Sequence, residues 1–87
     1  MNEDTRENIV SAASNQELLV FDYVDRKGVA SAREVEPYEF RSSAEGELLV
    51  AYDRGRQDYR SFRLSGISGT KRTGIRFQPR RPISIAA

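Results

Sequence analysis

Glu47-Leu48-Leu49-Val50-Ala51-Tyr52-Asp53, then Arg54-Gly55-Arg56-Gln57, then Asp58-Tyr59-Arg60-Ser61-Phe62-Arg63-Leu64 is the stretch on which the fold turns. Side chains alternate across a strand, so Leu48, Val50 and Tyr52 share one face of the first segment and Leu49 and Ala51 the other. Neither face is polar. Such a strand is covered on both sides, which predicts a central strand with a barrel interior on one side and a further element, the helix described below, on the other. Residues 54–57 are polar, contain Gly, and read as a turn. In the returning segment Arg60, Phe62 and Leu64 share a face. Phe62 and Leu64 are assigned to the core and Arg60 to its rim, reaching outward, because a buried unpaired guanidinium is costly. Tyr59, Ser61 and Arg63 take the opposite face. Arg60 and Arg63 therefore meet only if a bulge or strand end intervenes, and Gly66 offers a place for a bend.

Working outward, the same rhythm repeats. Leu18 to Val24 is rich in β-formers, Asp25-Arg26-Lys27-Gly28 is a turn, and Val29 to Val35 returns. Pro37 has no N–H to give a ladder and is expected to end that strand, leaving Tyr38 to Arg41 as a short piece. Ser42 to Gly46 is a turn, Gly66 to Thr70 a loop, and Thr73 to Gln78 a last strand. Turns every 8 to 12 residues are the spacing of a small barrel or bent sheet. Before all this, residues 4–14 read as a helix. Asp4 is its candidate N-cap, Glu7 completes a capping-box-like pair, and Ile9, Val10, Ala12 and Ala13 form its apolar stripe. The fold class is thus α+β, mostly β. One domain is expected over 1–79, with the helix at about 4–14 and β-structure at about 17–78, followed by an extended, exposed basic tail at 80–87 that includes Arg80 and Arg81.

Composition narrows the chemistry. The 87 residues contain no histidine and no cysteine, so no Cys or His nucleophile–base pair and no His- or Cys-based metal site can be assembled. Asp22 and Asp25 are at odd strand spacing and point to opposite faces. No catalytic residue, metal ligand or cofactor is expected, and the chain reads as a non-enzyme. No apolar run approaches the roughly 20 residues needed to span a bilayer, and the polar start is no signal peptide. A reducing, cytoplasmic setting without membrane contact is the expectation. Net charge is only +1, but residues 1–50 carry 11 acidic and 5 basic side chains while residues 51–87 carry 2 and 9. Twelve of the 14 cations are arginines, whose planar fork of donors suits phosphate and carboxylate. Lys71, Arg72 and Arg76 form a candidate secondary basic stripe, with Arg72 and Arg76 on one face of an extended segment.

Five elements in order resemble one family. Tyr23, the turn ending at Gly28, Arg33-x-Val35-x-Pro37, Gly46-x-Leu48-Leu49-Val50-Ala51-Tyr52 and Arg60-x-Phe62-Arg63-Leu64-x-x-Ile67 follow one another at the spacing of the WYL domain, over roughly residues 9 to 78. The resemblance implies an N-terminal helix followed by a small, Sm-like, strongly bent five-stranded antiparallel sheet or partly open barrel. It also implies a sensory module of the kind found in bacterial transcription regulators, attached to helicases and in phage-defence systems, binding nucleic acid or a nucleotide in a basic groove. Carried over position by position, Tyr23, Arg33, Arg60 and Arg63 are the groove candidates. Two departures stand out. The tripeptide that names the family falls on Glu47-Leu48-Leu49, so its two aromatics are missing. The family's Asp-Arg-Ile reads Ser65-Gly66-Ile67, so one groove cation is missing too. With no preceding helix-turn-helix in the sequence, a free-standing domain or a fragment is expected.

Two function classes follow. One is a module that binds single-stranded nucleic acid or a nucleotide through these arginines and docks on a larger protein partner. The other is a protein-interaction or oligomerisation module in which the acidic first half meets the basic second half of a partner or a second copy. In that case Arg60 and Arg63 make ion pairs at the subunit or partner contact. Short of either class, Arg60 and Arg63 are surface charges paired across strands with Asp53, Asp58 or Glu47, and Arg33 pairs with Glu34 or Glu36.

Overall fold

The computed structural model describes residues 4–85. Helix α1 spans Thr5–Ser14, and strands β1 to β5 span Glu17–Val24, Ala30–Ser43, Gly46–Asp53, Asp58–Arg63 and Ile67–Arg76, with a 3-10 turn at Leu64–Gly66 before β5. The strands form one antiparallel sheet in the order β4-β3-β2-β1-β5, open between its two outer strands. Ile9, Ala12 and Ala13, one stripe of α1, are buried against it. Asp4 stands at the N-cap, but no side-chain bond caps the helix, so the expected capping box does not form. At the other end Gln16 adopts a left-handed φ of 53° and turns the chain into β1.

The main core lies on one face of the sheet. Leu19, Phe21 and Tyr23 of β1, Val35 of β2, Leu49 and Ala51 of β3, Phe62 of β4 and Ile67 of β5 meet the helix stripe there, and Ile85 joins them. Phe62 is 1 % exposed, in line with its assignment to the core. Leu64 is only partly buried, because it leaves the strand for the 3-10 turn.

Three expectations need correction. Pro37 does not end a strand. β2 runs 14 residues straight through it. The ladder registers Pro37 with Ala51 and Glu39 with Val50, so Tyr38 is the extra residue of a bulge. The bulge absorbs the missing donor and returns Phe40 to the core face opposite Leu49. Of the expected loop only Gly66 lies outside the ladder, in the 3-10 turn, and Gly69 and Thr70 are strand residues. β5 begins at Ile67, and Gly69 (φ 61°) and Gly74 (φ 78°) sit where its pairing with β1 shifts register. Finally, β3 is an interior strand covered on both faces, as expected, but the helix stripe joins the core face that carries Leu49 and Ala51, and among the described residues no helix covers the other. That second face, with Tyr52, meets Leu18, Tyr38, Phe77 and Ile83.

The last of these residues belong to the segment expected to be a solvated tail. Residues 77–85 instead fold back across the sheet. Phe77 N–H donates to Gln16 O at 2.9 Å, Arg80 N–H to the Tyr38 hydroxyl at 2.9 Å, and Ser84 N–H to Tyr38 O at 2.9 Å. Arg80 Nε reaches both oxygens of the buried Glu36 carboxylate, at 3.1 and 3.2 Å, and its guanidinium stacks 3.7 Å from the Tyr52 ring centre. Arg81 pairs with Glu39 and faces Tyr38 and Tyr59. The cause is Glu36. Its carboxylate is 1 % exposed and needs several donors, and the Tyr38 hydroxyl, Arg54 and Arg80 supply them.

Candidate ligand-binding groove

Tyr23, Arg33, Arg60 and Arg63 line one cavity of about 410 Å³, together with the turn Asp25-Arg26-Lys27 and with Leu48, Ser61 and Phe62. The register explains how. Arg33 sits opposite Phe21 on β1, Arg60 opposite Ala51 and Phe62 opposite Leu49 on β3. All belong to the core face, so Arg33 and Arg60 rise from the rim of the core. Arg63 has the opposite parity. It enters the cavity because it is the last residue of β4, where the chain leaves the ladder for the 3-10 turn. Its N–H donates to the Tyr23 hydroxyl at 3.1 Å, and its Nη2 to Val24 O at 3.1 Å. Gly66 makes this turn fit. A Cβ there would lie 2.5 Å from Val24 O and 3.0 Å from Tyr23 Cε1. The position at which the resemblance leads one to expect an arginine is the one where backbone and ring leave no room for a side chain.

The cations are not equivalent. Arg33 is nearly buried, its side chain 11 % exposed, and Nη1 donates to Asp53 Oδ2 at 2.7 Å while Nε donates to Ser31 Oγ at 2.9 Å. Asp53 also accepts the Gly55 and Arg56 N–H groups through Oδ1, at 3.0 and 3.2 Å, so it builds the β3–β4 turn as well. Arg33 is therefore a wall of the groove with its charge already compensated, and its partner is neither Glu34 nor Glu36. Arg26 pairs with Glu45. Lys27 and Arg60 make no ion pair among the described residues. Arg63 has none either, and its Nε is buried without a hydrogen-bond partner. An orphaned donor of this kind is uncommon and costly in a folded protein.

Asp25 is the acid in the lining. Its Oδ1 accepts the N–H groups of Lys27 and Val29, both at 2.9 Å, which shapes the turn. The Val29 N–H foremost holds the carboxyl below its ordinary 3.8, against the effect of burial. The N–H of Lys27 and the charges of Lys27 and Arg63 act in the same direction. Tyr23 and Phe62 meet edge to face, centres 5.0 Å apart at 85°, and Phe62 meets Phe21 likewise at 5.2 Å. The Arg33 guanidinium lies 5.4 Å from the Phe62 centre and 5.9 Å from that of Tyr23.

Lys71, Arg72 and Arg76 lie elsewhere, on β5. Arg72 Nε donates to Glu17 Oε1 at 2.8 Å, and this bond foremost lowers the Glu17 carboxyl below its usual range. Lys71 borders a second cavity of about 350 Å³ with Val20, Asp22, Ala32 and Glu34. Sequence reasoning missed Lys27 and the Arg33–Asp53 pair. The turn that carries Lys27 was legible, and its two cations beside the Arg33 strand were the available signal. The pair depends on a register that sequence does not print.

The WYL domain family model matches residues 4–72, a span containing every element of this groove. The chain belongs to the WYL domain family. Among solved structures it is similar to proteasome accessory factor B/C (PafBC) of Arthrobacter aurescens, with 31 % identity and a TM-score of 0.79. The likeness covers 86 % of this chain and 12 % of PafBC, so the chain spans about an eighth of that protein's length. No helix among the described residues is long and apolar enough to cross a membrane. No group of three or more acidic, His or Cys side chains among them is placed to hold a metal ion.

Proposed function

We propose that this WYL domain is a non-enzymatic regulatory module that binds a phosphate-bearing ligand, a nucleic-acid segment or a nucleotide, in the groove between β1, β2 and β4. Lys27, Arg60 and Arg63 hold the ligand's phosphates. Arg33 and Tyr23 build the wall and fix Arg63. The observation that carries this reading is the convergence of Lys27, Arg60 and Arg63 on one cavity, none of them in an ion pair among the described residues and with Asp25 the one acid beside them. A phosphate oxygen gains charge-assisted bonds from the Lys27 ammonium and from the outer guanidinium nitrogens of Arg60 and Arg63. The acid–base asymmetry of the sequence favours this over an interaction module. Arg54, Arg72, Arg80 and Arg81 of the basic half already pair with Glu36, Glu17 and Glu39 of the acidic half. A larger protein partner supplies the output, as befits a domain that spans a small part of PafBC.

The test is fluorescence anisotropy with a labelled single-stranded oligonucleotide and with nucleotides, at low and rising salt. Arg60→Ala and Arg63→Ala should each weaken binding by at least about 1.5 kcal/mol, the low end for a bond to a charged group. Three phosphate contacts on a single strand give a log–log salt slope of about −2. No binding of any strand or nucleotide at low salt would defeat the proposal and leave the protein-interaction reading.

A further inference from the structure

Resting on the groove's proposed ligand, we infer that it reads the sugar–phosphate chain of a single strand and not the bases. Two features favour base recognition, and this groove is poor in both. The first is an open aromatic face on which a base can stack. Tyr23 is 7 % exposed and Phe62 1 %. Their faces are occupied by each other's edges and by the Arg33 guanidinium. At position 48, where the resemblance calls for an aromatic, the groove is lined by a leucine, and Glu47 beside it is engaged with Arg6. The second is a mixed set of donors and acceptors, since base edges carry both. Here the acceptors are few and partly in use, the second Asp25 oxygen and the Ser61 hydroxyl being those left open. Asp25 Oδ1 holds two backbone N–H groups, and the Tyr23 hydroxyl accepts the Arg63 N–H. The open groups are otherwise donors, the guanidinium groups of Arg60 and Arg63 and the ammonium of Lys27. A lining of donors matches a chain of phosphates, which only accept. Leu48 offers apolar contact to the sugar.

The experiment compares labelled ten-residue strands of thymidylate, deoxyadenylate and deoxycytidylate with an abasic deoxyribose-phosphate strand of the same length, all at one salt concentration. The four dissociation constants should agree within fivefold, and Arg60→Ala and Arg63→Ala should weaken all four by a common factor. An abasic strand more than fivefold weaker than the others overturns the inference and leaves the proposed function standing. So does an Arg60→Ala loss confined to the base-bearing strands, which would mean that the Arg60 guanidinium stacks on bases. Binding by none of the four, abasic included, overturns instead the function on which the inference rests.

Discussion

Asp53→Asn should lower stability and raise ligand affinity at once. The carboxylate is 2 % exposed and its partner Arg33 11 %, at 2.7 Å. Breaking a buried pair by neutralising one member costs about 3–5 kcal/mol, because the other charge is left uncompensated. The low end applies here. Asn keeps an oxygen for the Gly55 and Arg56 N–H groups, so the turn survives, and Arg33 borders a cavity that water enters. A loss of about 3 kcal/mol stands against a total of about 4–13 kcal/mol for a domain of this size. The variant should therefore fold at 25 °C with a melting temperature lower by roughly 12–24 °C. The released Arg33 adds a fourth cation without an ion pair to the groove. One further bond to a charged group contributes about 1.5 kcal/mol or more, close to tenfold in affinity. Thermal unfolding followed by circular dichroism reads the first effect, and oligonucleotide anisotropy at 20 °C, below the unfolding transition, reads the second. A melting temperature within 2 °C of wild type, or weaker binding by the folded variant, would refute the assignment of Arg33 as a compensated wall residue.

Phe62→Ala should cost about 3–5 kcal/mol, since the ring is fully enclosed and two edge-to-face contacts go with it. Urea denaturation measures it, and an unchanged midpoint would refute the core assignment. Gly66→Ala should cost roughly 1–3 kcal/mol through overpacking against Val24 O and Tyr23, and should also weaken ligand binding by moving Arg63. An alanine variant with native melting and native affinity would show that the close approach carries no weight. Burial foremost, and then Glu36, push the Tyr38 hydroxyl up to about 12, above an ordinary value near 10. The native state thus holds the proton longer than the unfolded chain, so this contribution is complete below about pH 10 and is lost as pH rises towards 12. Tyr38→Phe should flatten that part of the stability curve, and an unaltered alkaline profile would count against the burial argument.

Much of this architecture was readable from alternation. The helix stripe, the turn at 54–57, the strand pair around it and the burial of Phe62 follow from periods of 3.6 and 2. Pro37 and the glycines of β5 were misread for one physical reason. Breakers mark where a regular ladder is interrupted, and a bulge is an interruption that does not end a strand. Arg60 and Arg63 posed a parity problem in sequence, and the end of β4 and the close fit of Gly66 resolve it in space. The charge arrangement was least legible. Arg33 with Asp53 and Arg80 with Glu36 are 20 and 44 residues apart. Which acid neutralises which base depends on strand order and chain return, and composition carries neither.

The openness of the sheet has its own consequence. Among the described residues β4 and β5 each present one edge with no neighbouring strand, and such an edge is a template for another chain. β4 is six residues long and carries Asp58, Arg60 and Arg63. β5 carries Lys71, Arg72 and Arg76, and its two register shifts with their left-handed glycines twist its ladder out of line. Like charges meeting edge to edge repel, and a kinked edge cannot zip. The basic residues of β5 thus disfavour edge-to-edge pairing of two copies through this strand, a task that involves no ligand.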